Sequence, residues 1–333
     1  MAHDKVEKIF EDFKGLKVLV VGDVMVDAYI YGSSERISTE APVPIVNVKK
    51  QELRLGGAAN VALNLQELGA QPKLCSVIGD DENGKNFINL LHGHSISTKG
   101  VIKSEDRTTT IKHRIFAGSR QMLRFDNESI QPLMKIEEKT FIDQILSMIE
   151  GVDMVIVEDY NKGMLNKDIV GKTISKCNEL KVPCIVDAKR RNFLDYKGAT
   201  LFKTHFKIFR DELKFDLQEP IKEDLDDIVD EFRTGYQHEN VMITLSGHGI
   251  YVNGSDESDM FEAHARRIAD IGGAGDAVIS VTGLCLALGL PLSVIAQFAN
   301  VAGGLVCEYP GVVPVKRDKL LETLRGMDVR DAD

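Results

Sequence analysis

The stretch ADIGGAGDAVISVTGLCLALG (residues 269–289) sets a glycine cluster directly ahead of a long apolar helix, which Gly289 ends with Pro291 beyond. Gly273, Ala274 and Gly275 carry little or no side chain, so the amides at this helix start stand open to an approaching anion. Unpaired first-turn N–H groups and the helix dipole both favour a negative group such as a phosphate. Asp276 occupies the first turn. The same spacing also suits a tight turn whose acidic residue only complements the dipole.

A second glycine motif, LGGAANVALNLQELGA (residues 55–70), has the same flavour. Gly56 and Gly57 let a ligand come close to the backbone, and Asn60 offers two donors and an acceptor to hydroxyl groups. Taken alone, this motif is equally explained by close helix packing. Upstream, VVGDVMVDAY places Asp23 and Asp27 just past an apolar run. The ends of parallel strands are where ligands sit in open sheets. In EDYNKG (residues 158–163), Lys162 lies in a glycine-terminated loop after another such run, and Lys189 follows Asp187 at the next one. Both suit a cation that binds a substrate phosphate, and both also read as solvated loop charges.

The elements that must hold these residues alternate. Strands are expected at 16–22, 73–79, 153–158, 183–187 and 241–245, nearly continuous in Val and Ile, as strands buried on both faces should be. Helices lie between them; Ala58, Val61, Ala62 and Leu65 recur at i, i+3, i+4 and i+7, and Gly69 stops that helix. This alternation predicts an α/β fold, a central and mostly parallel sheet with helices on both faces. Residues 30–50 and 107–126 break the rhythm with β-branched and polar side chains between turn residues. They are expected to pair as a small separate β-sheet, a lid inserted in one domain spanning 1–333.

The motif D-x-x-G-A-G-D ahead of an apolar helix, together with G-G-A-A-N and the Asp pair, resembles the two signatures of the ribokinase-like (PfkB) carbohydrate kinases. The resemblance runs from the first strand to GVVPV at 311–315. It implies a ribokinase-like fold and transfer of the γ-phosphate of ATP, with Mg2+, to a sugar hydroxyl. Asp276 would be the catalytic base, with Gly273, Ala274 and Gly275 as the anion hole. Asp27, Gly56, Gly57 and Asn60 would bind the sugar. Thr244, Ser246 and Gly249 of TLSGHG, with Asn300, Gly273 and Gly275, would bind the nucleotide. RISTEAPVPIVNV (36–48), the region of Arg114 and Arg124, EDYNKG, and VDAKRRNFLDYKGAT (186–200) are most similar to the D-glycero-D-manno-heptose-7-phosphate kinases. On that branch Arg114, Arg124, Lys162 and Lys189 become substrate-binding residues, and the product is the 1,7-bisphosphate on the route to ADP-heptose. The lid would cover the sugar and pair two subunits as a homodimer. The chain stops soon after the last kinase helix, so the kinase step alone is expected. One departure stands out. Relatives carry N-x-x-E after the fifth strand, which helps organise Mg2+, whereas LFKTHFKIFRDEL (201–213) has His205 and Ile208 at those places. A kinase for another sugar and a non-catalytic sugar-binding protein on the same scaffold are the alternatives.

Composition agrees with a small-molecule enzyme. Of 333 residues, 43% are hydrophobic, and 51 acidic against 41 basic side chains give a formal net charge of −10, which disfavours nucleic acid as a partner. The 5 cysteines are odd in number and lack C-x-x-C, as expected of reduced thiols. The N-terminus has no apolar signal core, and no apolar run nears the ~20 residues that span a bilayer, so a cytoplasmic protein without a membrane partner is expected. GDDENGKN (79–86) imitates a phosphate loop, but Asp80, Asp81 and Glu82 would repel phosphates and Asn86 ends it wrongly. His92 and His94 are two apart and share no helix face. The first strand lacks G-x-G-x-x-G, which argues against a dinucleotide enzyme.

Overall fold

A computed structural model describes residues 1, 3–263, 267–327 and 329. In chain order its first half runs α1 (His3–Asp12), β1 (Lys17–Gly22), β2 (Val24–Ile37), β3 (Pro44–Gly57), α2 (Ala58–Glu67), β4 (Gln71–Gly79), α3 (Glu82–Gly93), β5 (Gly100–Ser104), β6 (Ile111–Ala117), β7 (Arg120–Asn127) and α4 (Lys135–Ile149). The second half continues with β8 (Met154–Glu158), α5 (Lys167–Leu180), β9 (Cys184–Asp187), β10 (Leu201–His205), α6 (Phe206–Leu213), α7 (Lys222–Gly235), β11 (Asn240–Thr244), β12 (Ile250–Asn253), β13 (Ser258–Phe261), α8 (Ala274–Ala287), α9 (Leu292–Val306) and α10 (Arg317–Arg325).

Among the described residues, nine strands form the main sheet in the order β13-β12-β11-β10-β9-β8-β1-β4-β5. It is parallel from β5 to β11 and antiparallel at β12 and β13. Successive residues of one strand feed opposite cores. Val18 and Val20 pack with α1, α2, α8 and α9, whereas Leu19 and Val21 pack with α4, α5 and α7. That is why the predicted strands read as unbroken apolar runs. Strand order reverses at β1, which lies between β8 and β4, so the crevice past the ends of β1 and β8 is the place where an open sheet can receive a ligand.

The two irregular stretches do pair as a second sheet, ordered β3-β2-β6-β7, with the β2/β6 pairing parallel and the others antiparallel. Directly paired residues share a face. Asp27, Tyr29, Arg54, Lys112, Arg114, Arg124 and Asp126 therefore line one side. Val26, Ala28, Leu55 and Ile111 line the other and join the core, but further along the same side Leu53, Leu123 and Phe125 are exposed.

Two expectations shift. Asp27 is not in a strand-exit loop: only Asp23 separates β1 from β2, so the chain enters the small sheet at once and carries Asp27 with it. Strands β5, β10, β12 and β13 went unassigned in the sequence; in β10, Lys203 and His205 interrupt the apolar run.

Candidate active site

Helix α8 starts where the glycine cluster predicts. Gly273 adopts φ 85 as its N-cap, a left-handed conformation that a side chain resists. Asp270 fixes the turn before it: its Oδ1 accepts from the Gly272 amide at 2.9 Å and its Oδ2 from the Gly311 amide at 3.0 Å. The Ala274 amide donates to the Ile271 carbonyl at 3.3 Å, so Ala274 contributes smallness rather than a free donor. The amides of Gly275 and Asp276 are left as first-turn donors without a partner among the described residues. Ten consecutive residues of α8, Asp276 to Cys285, are buried, so the turn is set on an immobile base.

Asp276 is 3% exposed and its carboxylate is held from both sides. Asn60 Nδ2, on α2, donates to Oδ2 at 2.6 Å, and the Tyr160 hydroxyl donates to Oδ1 at 2.6 Å. Burial raises the Asp276 pKa above the ordinary carboxylate value, and these two hydrogen bonds limit the rise. Asn60 is thereby committed through its amide nitrogen, while its buried Oδ1 has no partner among the described residues and can still accept from a hydroxyl. Gly57, at φ 61, makes the sharp passage from β3 into α2, where a Cβ would strike the Asp23 carbonyl. Gly56 lies against the Asp27 carboxylate, which leaves no room for a side chain.

The loop after β8 is pinned by two buried carboxylates. Asp23 Oδ2 accepts from the amides of Tyr160 (2.8 Å) and Lys162 (3.1 Å), and Asp159 accepts from Asn161, Asn192 and Tyr196. Burial, then repulsion from Asp159, pushes Asp23 up to about 7. Asp23 thus shapes the loop instead of facing a ligand, and the loop presents Tyr160 and Lys162.

The predicted cations divide into two groups. On the small sheet, Asp27 pairs with Arg114, and Arg124 with Asp126 at 2.7 Å. Lys112 bridges Asp126 (2.9 Å) and Glu128 (3.3 Å), and Lys162 meets Glu128 at 2.6 Å. Lys189 stands apart, on Asp187 at 2.9 Å and over the Tyr160 ring. Lys203 reaches the same Asp187 oxygen at 2.6 Å. Burial opposes the Lys189 ammonium, but the charges of Asp187 and Glu158 win and raise its pKa. Glu158 and Asp187 are register partners at the ends of β8 and β9. Both oxygens of Glu158, fully buried, and Oδ1 of Asp187 lack partners among the described residues. Burial, with repulsion from Asp187, pushes Glu158 well above the carboxylate range. Tyr160, Lys112 and Lys203 were not singled out in the sequence. Strand alternation could have found Lys112, but nothing local marks Tyr160.

At the predicted nucleotide end, Thr244 closes β11 with its hydroxyl on the Thr204 carbonyl at 3.3 Å. Ser246 Oγ is 2.8 Å from His205 Nε2, and Gly249, at φ 97, turns the chain into β12. Asn300, on α9, donates to the Glu262 carbonyl at 2.7 Å and so secures the segment after β13. His205 caps α6 by accepting from the Lys207 amide, and the half-buried Ile208 packs against the core beneath. His205 and Ile208 therefore both serve the scaffold.

Comparison with known proteins bears on this arrangement. The pfkB family carbohydrate kinase model matches residues 16–318. The bifunctional protein HldE of Trichlorobacter lovleyi is 35% identical over 336 residues, covering 100% of this chain and 67% of its own. The protein of that name from Syntrophotalea carbinolica is 35% identical over 327 residues, covering 97% and 66%. The chain thus spans about two thirds of the length of these curated relatives. Among solved structures, phosphofructokinase-2 from Escherichia coli superposes with a TM-score of 0.77 at 17% identity, covering 94% of this chain and 98% of that one. Arabidopsis thaliana ribokinase complexed with ribose and ATP gives 0.72 at 16%, covering 93% and 99%. Identities this low speak for the fold alone, which is ribokinase-like; family membership rests on the sequence match. The chain belongs to the pfkB family of carbohydrate kinases and is an ATP-dependent sugar kinase.

Proposed function

We propose that this kinase phosphorylates D-glycero-D-manno-heptose 7-phosphate at C1, giving the 1,7-bisphosphate. The observation that carries the substrate class is the row of cations on the polar side of the small sheet, Lys112, Arg114 and Arg124, continued by Lys162. Each is paired with a carboxylate that an incoming phosphate can replace, and guanidinium groups suit phosphate oxygens. The heptose itself rests on the segments resembling the heptose-7-phosphate kinases and on the likeness to the HldE proteins along the whole chain.

In this mechanism the sugar hydroxyl gives its proton to Asp276 while its oxygen attacks the γ-phosphorus, and ADP leaves with the electron pair of the broken bond. The Gly275 and Asp276 amides at the positive end of α8 stabilise the transferring phosphoryl group. Asn60 and Tyr160 orient the base and keep water from it. The pfkB kinases use ATP, generally with Mg2+. The residues present fit that ion: the unpartnered oxygens of Glu158 and Asp187 lie at adjacent strand ends and would hold it together with the phosphates of ATP, once Glu158 gives up the proton that burial favours. Bound there, Mg2+ would neutralise phosphate charge. No helix among the described residues is long and apolar enough to cross a membrane.

Asp276→Asn should preserve the fold and ATP binding while lowering turnover by ~10²–10⁴. Activity needs the ionised carboxylate, so it is lost as pH falls through a pKa that burial has raised. Tyr160→Phe removes a bond to the ionised form and moves this loss to still higher pH. Glu158→Gln should raise the Mg2+ concentration needed in the same assay. Near-normal turnover in Asp276→Asn removes it from the role, and an unmoved pH limb or Mg2+ curve removes Tyr160 or Glu158.

Lys162→Met and Arg124→Met should each raise KM for a sugar phosphate at least ~10-fold more than for its unphosphorylated analogue, as loss of a charge-assisted contact predicts. Equal effects on both sugars would favour a free-sugar kinase.

The exposed Leu123 (54%) and Phe125 (46%) suit a second copy of the chain packed against the apolar side of the lid. Light scattering should give a dimer mass for the native chain and a monomer mass for the Leu123→Glu, Phe125→Glu variant. A monomeric native protein contradicts this.

A further inference from the structure

Lys203 is 3% exposed, in the middle of a short strand where burying an ammonium costs several kcal/mol unless it is compensated. Its partner does not account for it. Asp187 Oδ2 already holds Lys189 at 2.9 Å, and Lys203 comes to that same oxygen at 2.6 Å, so two cations share one acceptor while Oδ1 of Asp187 has no partner. A structural ion pair needs one lysine here.

The position of the second one is informative. Lys203 lies two residues after Leu201 and shares its side of the sheet, the side covered by α8. A Cβ placed on Gly275 would stand 3.4 Å from Lys203 Nζ. The ammonium therefore stands beside the first turn of α8, and the missing side chain at 275 leaves the space next to it open. The other titratable side chains around it are Glu158, Asp276, Lys189 and His205. A group bound at the turn meets two amides, the helix dipole and this ammonium, all of which favour anionic oxygen.

We propose that Lys203 is a catalytic cation that contacts an oxygen of the transferring γ-phosphoryl group and follows it from ATP to the sugar. It rests on the assignment of the Gly273–Asp276 turn to that group, and adds a residue to which no role was given above. Lys203 donates a hydrogen bond throughout and keeps its protons: the sugar O–P bond forms, the bond to the β-phosphate oxygen breaks with its electrons going to ADP, and the hydroxyl proton goes to Asp276.

The test uses the native chain, Lys203→Met, Lys203→Gln and Lys203→Arg, each checked for fold by circular dichroism. Turnover should fall ~10²–10³-fold in the Met and Gln variants, the loss typical of one donor at developing charge, and recover partly in Arg. Calorimetry should show ATP binding weakened ~10-fold while ADP binding stays within about twofold, because only ATP carries the contacted group. A lysine that merely supports Asp187 would change ATP and ADP binding alike, and that result overturns the proposal, as does unchanged turnover in Met and Gln. If Lys203→Met is silent but Asp276→Asn is not, the lysine fails alone; if both are silent, the turn is not the phosphoryl site.

Discussion

The carboxylate of Asp276 is where three separately formed pieces of the chain meet. It arrives on the first turn of α8, is gripped by Asn60 from the first turn of α2, and is gripped again by Tyr160 from the loop after β8. A buried carboxylate without such partners would cost several kcal/mol or take up a proton. The two helices and the loop must therefore reach their final places together, and the sheet provides for this by reversing its strand order between β8 and β4, at β1. The two glycine motifs, 216 residues apart at this contact, serve one oxygen pair.

Charge pairing governs the remainder of the site. Apart from Asp23 and Asp159, which fold the 159–163 loop by accepting from its amides and neighbours, most acidic groups near the crevice hold cations ready. Glu128 keeps Lys162 and Lys112, Asp126 keeps Arg124 and Lys112, and Asp187 keeps two lysines. A protein with a net charge of −10 can thus still present a local basic surface to a doubly phosphorylated reaction. The small sheet is two-sided for the same reason: its cations face the crevice, and its apolar side merges with the core at one end and is bare at the other.

Much of this was legible in the sequence. Continuous Val and Ile runs marked the central strands because both faces of the sheet are covered, and the glycine turn ahead of an apolar helix marked α8 because few other structures need that order. Less was legible where function depends on distant contacts. Tyr160 looks like any loop tyrosine until α8 brings Asp276 to it. Lys203 disguised its own strand, since a buried lysine and a histidine within five residues erase the apolar pattern. Asp27 looked like a strand-exit residue because nothing local shows that the chain enters a different sheet one residue after β1. The departure at His205 and Ile208 was visible, but its consequence was not: both side chains are used by the scaffold, and the unpaired carboxylate oxygens lie on β8 and β9 instead.

The most direct measurement is a phosphorus NMR time course of the protein with ATP, Mg2+ and D-glycero-D-manno-heptose 7-phosphate, run beside the same sugar without its phosphate. The account predicts stoichiometric ADP and a new phosphate ester at C1 with the 7-phosphate retained, at a rate well above that with the unphosphorylated sugar. ATP left intact, or faster turnover of the unphosphorylated sugar, would contradict it.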